Sequence, residues 1–258
     1  MPFKNVVVVA KFQKDHTHQI TRNNVLKVLE SLSLKYKVVN RNRLNKKIKA
    51  DLVVSIGGDG TALAVSHFLD RVPLLAVNSS PKISTGFFCL ANSKTFSRHL
   101  KNIVTGKRKY REIPRMEVRI NGKRLPYLAL NEILFASRLQ GDTARYYVRA
   151  GSSEEFQKSS GVWVATGAGS TAAIYSAGGK KASPFSKGIQ YLVREPFRYS
   201  KTRYRLLRGF LNPGKKLTLI SEMDQGMIFI DGAKLHYRVP QHAKITVQGA
   251  AKPLRIYL

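Results

Sequence analysis

Apolar and polar positions repeat in two different ways along this chain, and the change of pattern divides it. Residues 6–9 are four consecutive valines, a continuous apolar run of the kind a buried strand makes. Residues 19–32 carry Ile20, Val25, Leu26, Val28 and Leu29 at helical spacing, and 36–39 and 52–56 read as strands again. A helix follows Gly60, a strand covers 73–78, and a further helix lies near 93–105. Strand and helix in turn predict a parallel sheet with both faces covered. Beyond that point strands dominate. Residues 116–120 and 125–135 flank Asn121-Gly122, a strong hairpin turn. Short strands follow at 217–220, 227–230, 235–239, 245–247 and 254–258, some parted by Asp231-Gly232 and Pro240. The pattern predicts an α/β part with a parallel sheet, followed by a part that is mainly β. Residues 180–187 and 196–202 read as loops.

Two glycine turns interrupt this pattern. The first, Gly57-Gly58-Asp59-Gly60-Thr61, joins the strand over 52–56 to a helix. Its glycines let the backbone turn tightly and approach a ligand, and the N–H groups at the helix start attract anions. Asp59 repels phosphate, so its presence there fits contact with a metal or removal of a proton from an attacking hydroxyl. A turn aspartate that caps the helix is the alternative. The second turn, Gly167-Ala168-Gly169-Ser170-Thr171, follows a strand over 161–166 and precedes a short helix over 172–177, stopped by Gly178-Gly179. Taken alone it fits the dinucleotide fingerprint. That fingerprint expects an acid about 20 residues on and opens a domain, whereas Glu195 lies too far along and precedes Pro196.

Composition changes the picture modestly. The chain has 258 residues and a single cysteine, Cys89, so a disulfide framework or cysteine metal cluster is excluded and a reducing cytoplasm is expected. No apolar run is long enough to span a membrane, and the first residues lack a signal or transit pattern. The net charge of +30 is spread along the chain. It reads as a solvated basic surface or as attraction for polyphosphate ligands, without a nucleic-acid-binding signature. His16 and His18 beside Asp15 lack a further ligand set, so a loop is expected there rather than a metal site.

Four motifs in order resemble the NAD kinase family across nearly the whole chain. Gly57 to Thr61 is similar to its first signature, and Leu130-Asn131-Glu132 to its asparagine–glutamate pair. Thr166 to Ala172, ending in Ser176-Ala177-Gly178-Gly179, resembles its second glycine signature, and Ile230-Asp231-Gly232 its late Asp-Gly turn. The resemblance implies a Rossmann-like α/β domain over 1–105 and a β-rich, sandwich-type domain over 106–258, with a return of the last strand to the first domain left open. It also implies transfer of the γ-phosphoryl group of ATP to the 2′-hydroxyl of the adenosine ribose of NAD. It implies Asp59 as the base, and Gly57, Gly58, Gly60 and Thr61 as a phosphate cradle. Asn131, Glu132, Gly169, Ser170, Thr171, Ala172 and Asp231 are implied around the dinucleotide. Mg2+ would arrive with ATP, with Asp59 as its candidate contact and no fixed metal site. A cytoplasmic homo-oligomer, dimer or tetramer, without membrane or nucleic-acid partners is expected. Ser160, Gly167, Ala168 and Ala173 stand where most members carry Asp, Pro, Thr and Tyr, and Gln157 to Gly161 and Val193 to Pro196 resemble the mitochondrial-type branch. A lipid kinase sharing the first signature, or a non-catalytic nucleotide- or RNA-binding protein on this scaffold, are the alternatives.

Overall fold

A computed structural model describes residues 3–12, 15–139, 141–198 and 203–258, so 199–202 of the expected loop over 196–202 lie outside the described residues. The chain forms two compact units, residues 1–112 with 253–258, and residues 113–252.

In the first unit β1 (Val6–Ala10), β2 (Tyr36–Asn40), β3 (Leu52–Gly57), β4 (Leu74–Asn78) and β5 (Cys89–Asn92) run parallel to their neighbours, in the order β2-β1-β3-β4 with β5 also on β4. Leu254–Ile256 joins the sheet parallel to β4, and β6 (Arg111–Ile113) lies beyond it. Helices α1 (His16–Ser31), α2 (Asp59–Ser66) and α3 (Phe96–Val104) alternate with the strands. β3 and β4 are buried almost throughout, as strands covered on both faces must be. Val25 and Leu29 of α1 and Leu100 of α3 pack with them, whereas Ile20, expected on the buried face, is 44% exposed. Thr21 takes the inward place one residue on. The helix also starts earlier than its apolar periodicity suggests. Asp15 caps it by accepting from His18 N at 2.6 Å, so His16 and His18 lie on a first helical turn instead of a loop.

The second unit contains two six-stranded antiparallel sheets. One is built from β7 (Met116–Ile120), β8 (Lys123–Arg124), β10 (Ala144–Ala150), β11 (Ser153–Ser159), β15 (Lys216–Ser221) and β18 (Lys244–Gly249). The other holds β9 (Glu132–Ser137), β12 (Gly161–Ala165), β13 (Ile189–Arg194), β14 (Arg208–Leu211), β16 (Gly226–Ile230) and β17 (Leu235–Val239). Alternate residues of both sheets, among them Val118, Tyr146, Leu219 and Val247 with Phe135, Val164, Tyr191 and Ile228, make one core. The Phe135 and Tyr146 rings meet edge to face with centroids 5.7 Å apart. Asn121 and Gly122 both take positive φ, the turn expected of that pair. The strand expected over 125–135 is divided. Only Lys123–Arg124 completes the hairpin, Pro126 follows it, and regular pairing resumes at Glu132. Glu132 therefore opens β9 with Asn131 just before it, where the expected strand had both in its interior. Helix content after the second glycine turn is a 3₁₀ turn, Ala168–Thr171, and one α turn, α4 (Ala173–Ser176).

Candidate active site

In the first unit the parallel register levels Asn40, Ala10 and Ile56, so the turn after β3 emerges at the carboxyl edge of the sheet. Open α/β sheets bind ligands at that edge. A Cβ at Gly57, whose φ is +153°, would overlap Thr61 Oγ1, and one at Gly58 would overlap Ser84 Oγ. These glycines thus allow the chain to fold back on itself as well as toward a ligand. Gly60 is exposed, with open space where a Cβ would stand. Asp59 opens α2, and its carboxylate is held on both sides. Oδ2 accepts from Phe87 N at 2.9 Å and Oδ1 from Phe88 N at 2.8 Å. Each oxygen keeps a lone-pair direction for another partner. The half-buried Cys89 beside this loop is pushed up to about 12 by burial, which makes it a poor nucleophile.

In the second unit three separate sequence motifs converge. Asp231, held at φ +48° in the turn after β16, accepts three main-chain bonds. Leu130 N lies 2.8 Å from Oδ2, and Asn131 N and Glu132 N lie 2.8 and 3.0 Å from Oδ1. The second glycine turn grips the same segment from the other side. Thr166 N donates to Asn131 O at 2.9 Å, and Thr166 Oγ1 donates to Leu130 O at 2.6 Å while accepting from Gly169 N at 3.0 Å. A Cβ on Gly169 would overlap the Asn131 carbonyl oxygen. Gly169 is therefore required by the main chain of Asn131, where the sequence pointed to a nucleotide. Ser170 is fully buried and turned inward, donating to Gly167 O at 2.7 Å and accepting from Ala182 N at 2.8 Å. Thr171 is exposed and Ala172 half-buried.

The clamped segment presents an unusual pair of acceptors. Asn131 Oδ1 and Glu132 Oε2 are buried and have no partner among the described residues. Such atoms are costly unless something donates to them. Burial, with a smaller contribution from the Asp231 charge, pushes the Glu132 carboxyl up to about 7. Elsewhere in this unit Ser160 lines a cleft of about 60 Å³ with Ser137, Asp142, Arg194 and Phe229. The Arg194 guanidinium lies 5.7 Å from the Trp163 ring centroid.

Several structural partners lie outside the sequence motifs. Phe87 and Phe88 act through main-chain N–H groups, which no side-chain pattern reveals. Arg41 Nη1 donates to Thr61 Oγ1 at 3.3 Å. Its position just past β2, at a strand's carboxyl end, is the signal that marks it. Exposed His16 and buried His18 diverge, and His18 Nδ1 meets Ser79 Oγ at 3.0 Å. Among the described residues no cluster of three or more His, Cys, Asp or Glu is placed to hold a metal.

Residues 5–108 match the sequence model of the ATP-NAD kinase N-terminal domain. A probable NADH kinase of Oryza sativa subsp. japonica is 33% identical over 264 residues, spanning 93% of this chain and 81% of that relative. Among solved structures, an NAD kinase from Archaeoglobus fulgidus in complex with ATP superposes with a TM-score of 0.78 at 23% identity, over 98% of this chain and 93% of that one. Yeast NADH kinase complexed with NADH gives 0.81 at 18% identity, over 100% and 84%. The structural likenesses carry the two-part fold, and the sequence match over most of both chains carries more: this chain belongs to the NAD kinase family.

Proposed function

We propose that the protein transfers the γ-phosphoryl group of ATP to the 2′-hydroxyl of the adenosine ribose of NAD or NADH. The observation that carries this reading is the pair of buried, unpartnered acceptors at the start of β9, Asn131 Oδ1 and Glu132 Oε2. Ribose hydroxyls other than the attacking one, and the amino edge of adenine, are donors of the kind that satisfies an amide oxygen beside a carboxylate, and the proton of the attacking hydroxyl stays free for transfer. The clamp from Asp231 and Thr166 holds both residues before a ligand arrives, which reduces the ordering cost of binding.

At the turn after β3, main-chain N–H groups of the first turn of α2 receive donor phosphates. Asp59 takes the proton of the attacking hydroxyl, using a lone pair left by its bonds to Phe87 and Phe88. The same half-buried carboxylate suits Mg2+, a hard ion that prefers oxygen ligands and arrives with the phosphates, whose charge it would offset. A lipid kinase would need only this turn and leaves the second-unit acceptors unexplained.

The test is phosphate transfer from labelled ATP, with NAD, NADH and diacylglycerol offered in parallel and the products separated by thin-layer chromatography. Label on both dinucleotides is expected. Label on diacylglycerol alone, or on no acceptor while ATP binds, defeats the reading.

A further inference from the structure

Arg41 lies outside every glycine signature, yet the fold brings it to the first of them. β2 and β3 flank β1 in register, Asn40 and Ile56 both standing level with Ala10. With adjacent strands about 4.8 Å apart, their ends are roughly 10 Å from each other, a gap a long side chain bridges. Asn40 fixes where that side chain starts. Its Oδ1 accepts from Asn42 N at 3.0 Å and caps the 3₁₀ turn Arg41–Arg43. Arg41 is half-buried, and its Nη1 donates to Thr61 Oγ1 at 3.3 Å. Thr61 is itself pinned, because its hydroxyl occupies the space a Cβ on Gly57 would fill.

This placement is more than a surface arginine needs. A guanidinium carries five N–H donors in a planar fork matched to phosphate oxygens, and the bond to Thr61 uses one of them. That bond is long and goes to a neutral hydroxyl, a weak reason to half-bury a fixed positive charge. Asp59, the acid nearest in sequence to Thr61, has an N–H on each oxygen from Phe87 and Phe88. The side chain is thereby held beside the first turn of α2, where main-chain N–H groups favour anions.

We propose that Arg41 binds the phosphate chain of the phosphoryl donor, gripping non-bridging oxygens from the β2 side of the turn while α2 supplies main-chain N–H groups. The proposal rests on the kinase reading for the identity of the donor, and its test is a binding measurement that needs no turnover. Affinities for ATP, inorganic tripolyphosphate and NADH would be measured by calorimetry for wild type, Arg41→Gln and Arg41→Lys, with melting curves to establish folding. Arg41→Gln should weaken ATP and tripolyphosphate alike by about tenfold or more, equivalent to ~1.4 kcal/mol, and leave NADH within about twofold. Arg41→Lys should recover part of the loss as a point charge. If Arg41 only props Thr61, the glutamine, which can still bond that hydroxyl, will bind ATP as well as the lysine does, and the proposal fails. It fails also if folded Arg41→Gln binds ATP like wild type, if ATP and NADH loosen equally, or if wild type binds neither ATP nor tripolyphosphate. Wild type that binds ATP but phosphorylates neither NAD nor NADH defeats the kinase reading, while the affinities of the Arg41 variants still decide whether Arg41 holds the phosphate chain.

Discussion

Glu132 is the residue whose environment departs furthest from its ordinary chemistry. Its carboxyl titrates at about 7 when buried against the Asp231 charge, against 4.5 for an unperturbed group. Between those values the folded protein holds a proton that the unfolded chain has released, so stability falls as pH rises from 4.5 toward 7. Replacing the carboxyl by an amide removes that loss. Glu132→Gln should therefore gain stability over wild type on going from pH 5 to pH 8, by on the order of 2 kcal/mol, read as the change in urea midpoint multiplied by the slope. A difference independent of pH would mean that Glu132 is ionised at both. Ser160 illustrates the opposite case, a site defined by what is missing. The resemblance implies an acid at this position in most of the family, and an acid beside the nicotinamide would favour the positive charge of its oxidised form. Weak discrimination between NAD and NADH is expected, and Ser160→Asp should shift the ratio of kcat/KM toward NAD. An unmoved ratio would take Ser160 away from the nicotinamide.

The two glycine turns differ as elements. The turn into α2 has open space at Gly60, whereas the turn after β12 is jammed against Asn131 at Gly169. Gly60→Ala should leave the melting temperature unchanged or raise it, a helical alanine being favoured by about 0.5–1 kcal/mol. If the turn cradles phosphate, the same change should raise KM for ATP. Gly169→Ala forces main chain to move and should cost about 2 kcal/mol or more, with loss of binding following from the displaced Asn131. An equal cost at both positions would contradict this contrast. Asp59 joins two elements, the start of α2 and the segment carrying Phe87 and Phe88. Asp59→Asn should lower turnover about 10²- to 10⁴-fold through loss of the base. It should also lower the melting temperature, because the amide nitrogen cannot accept one of the two N–H bonds. Near-normal turnover in a stable variant would remove Asp59 from proton transfer.

At the scale of the whole molecule the charge of +30 bears on solvation and on attraction for anions, and not on which fold forms. Repulsion among basic groups is screened by salt, with a Debye length near 10 Å at 0.1 M ionic strength. The melting temperature should accordingly rise between about 0.01 and 0.15 M KCl, followed by calorimetry. A fall would show that ion pairs such as Arg149–Glu154, at 2.6 Å, outweigh the repulsion.

The sequence by itself determined the division into a parallel α/β part and an antiparallel β part, since that division is written in apolar periodicity. It also determined the glycine turns, because they are local: a strand, a tight reversal and a helix start are contiguous in the chain. Tertiary structure decided what lies against those turns. Asp231 is about 100 residues from the N–H groups it clamps, with a separation of 101 to Leu130, and Arg41 is 20 residues from Thr61. No periodicity encodes such pairs, because they depend on strand order and register. The burial that raises the Glu132 carboxyl likewise exists only when the chain has folded and β12 and β16 flank β9.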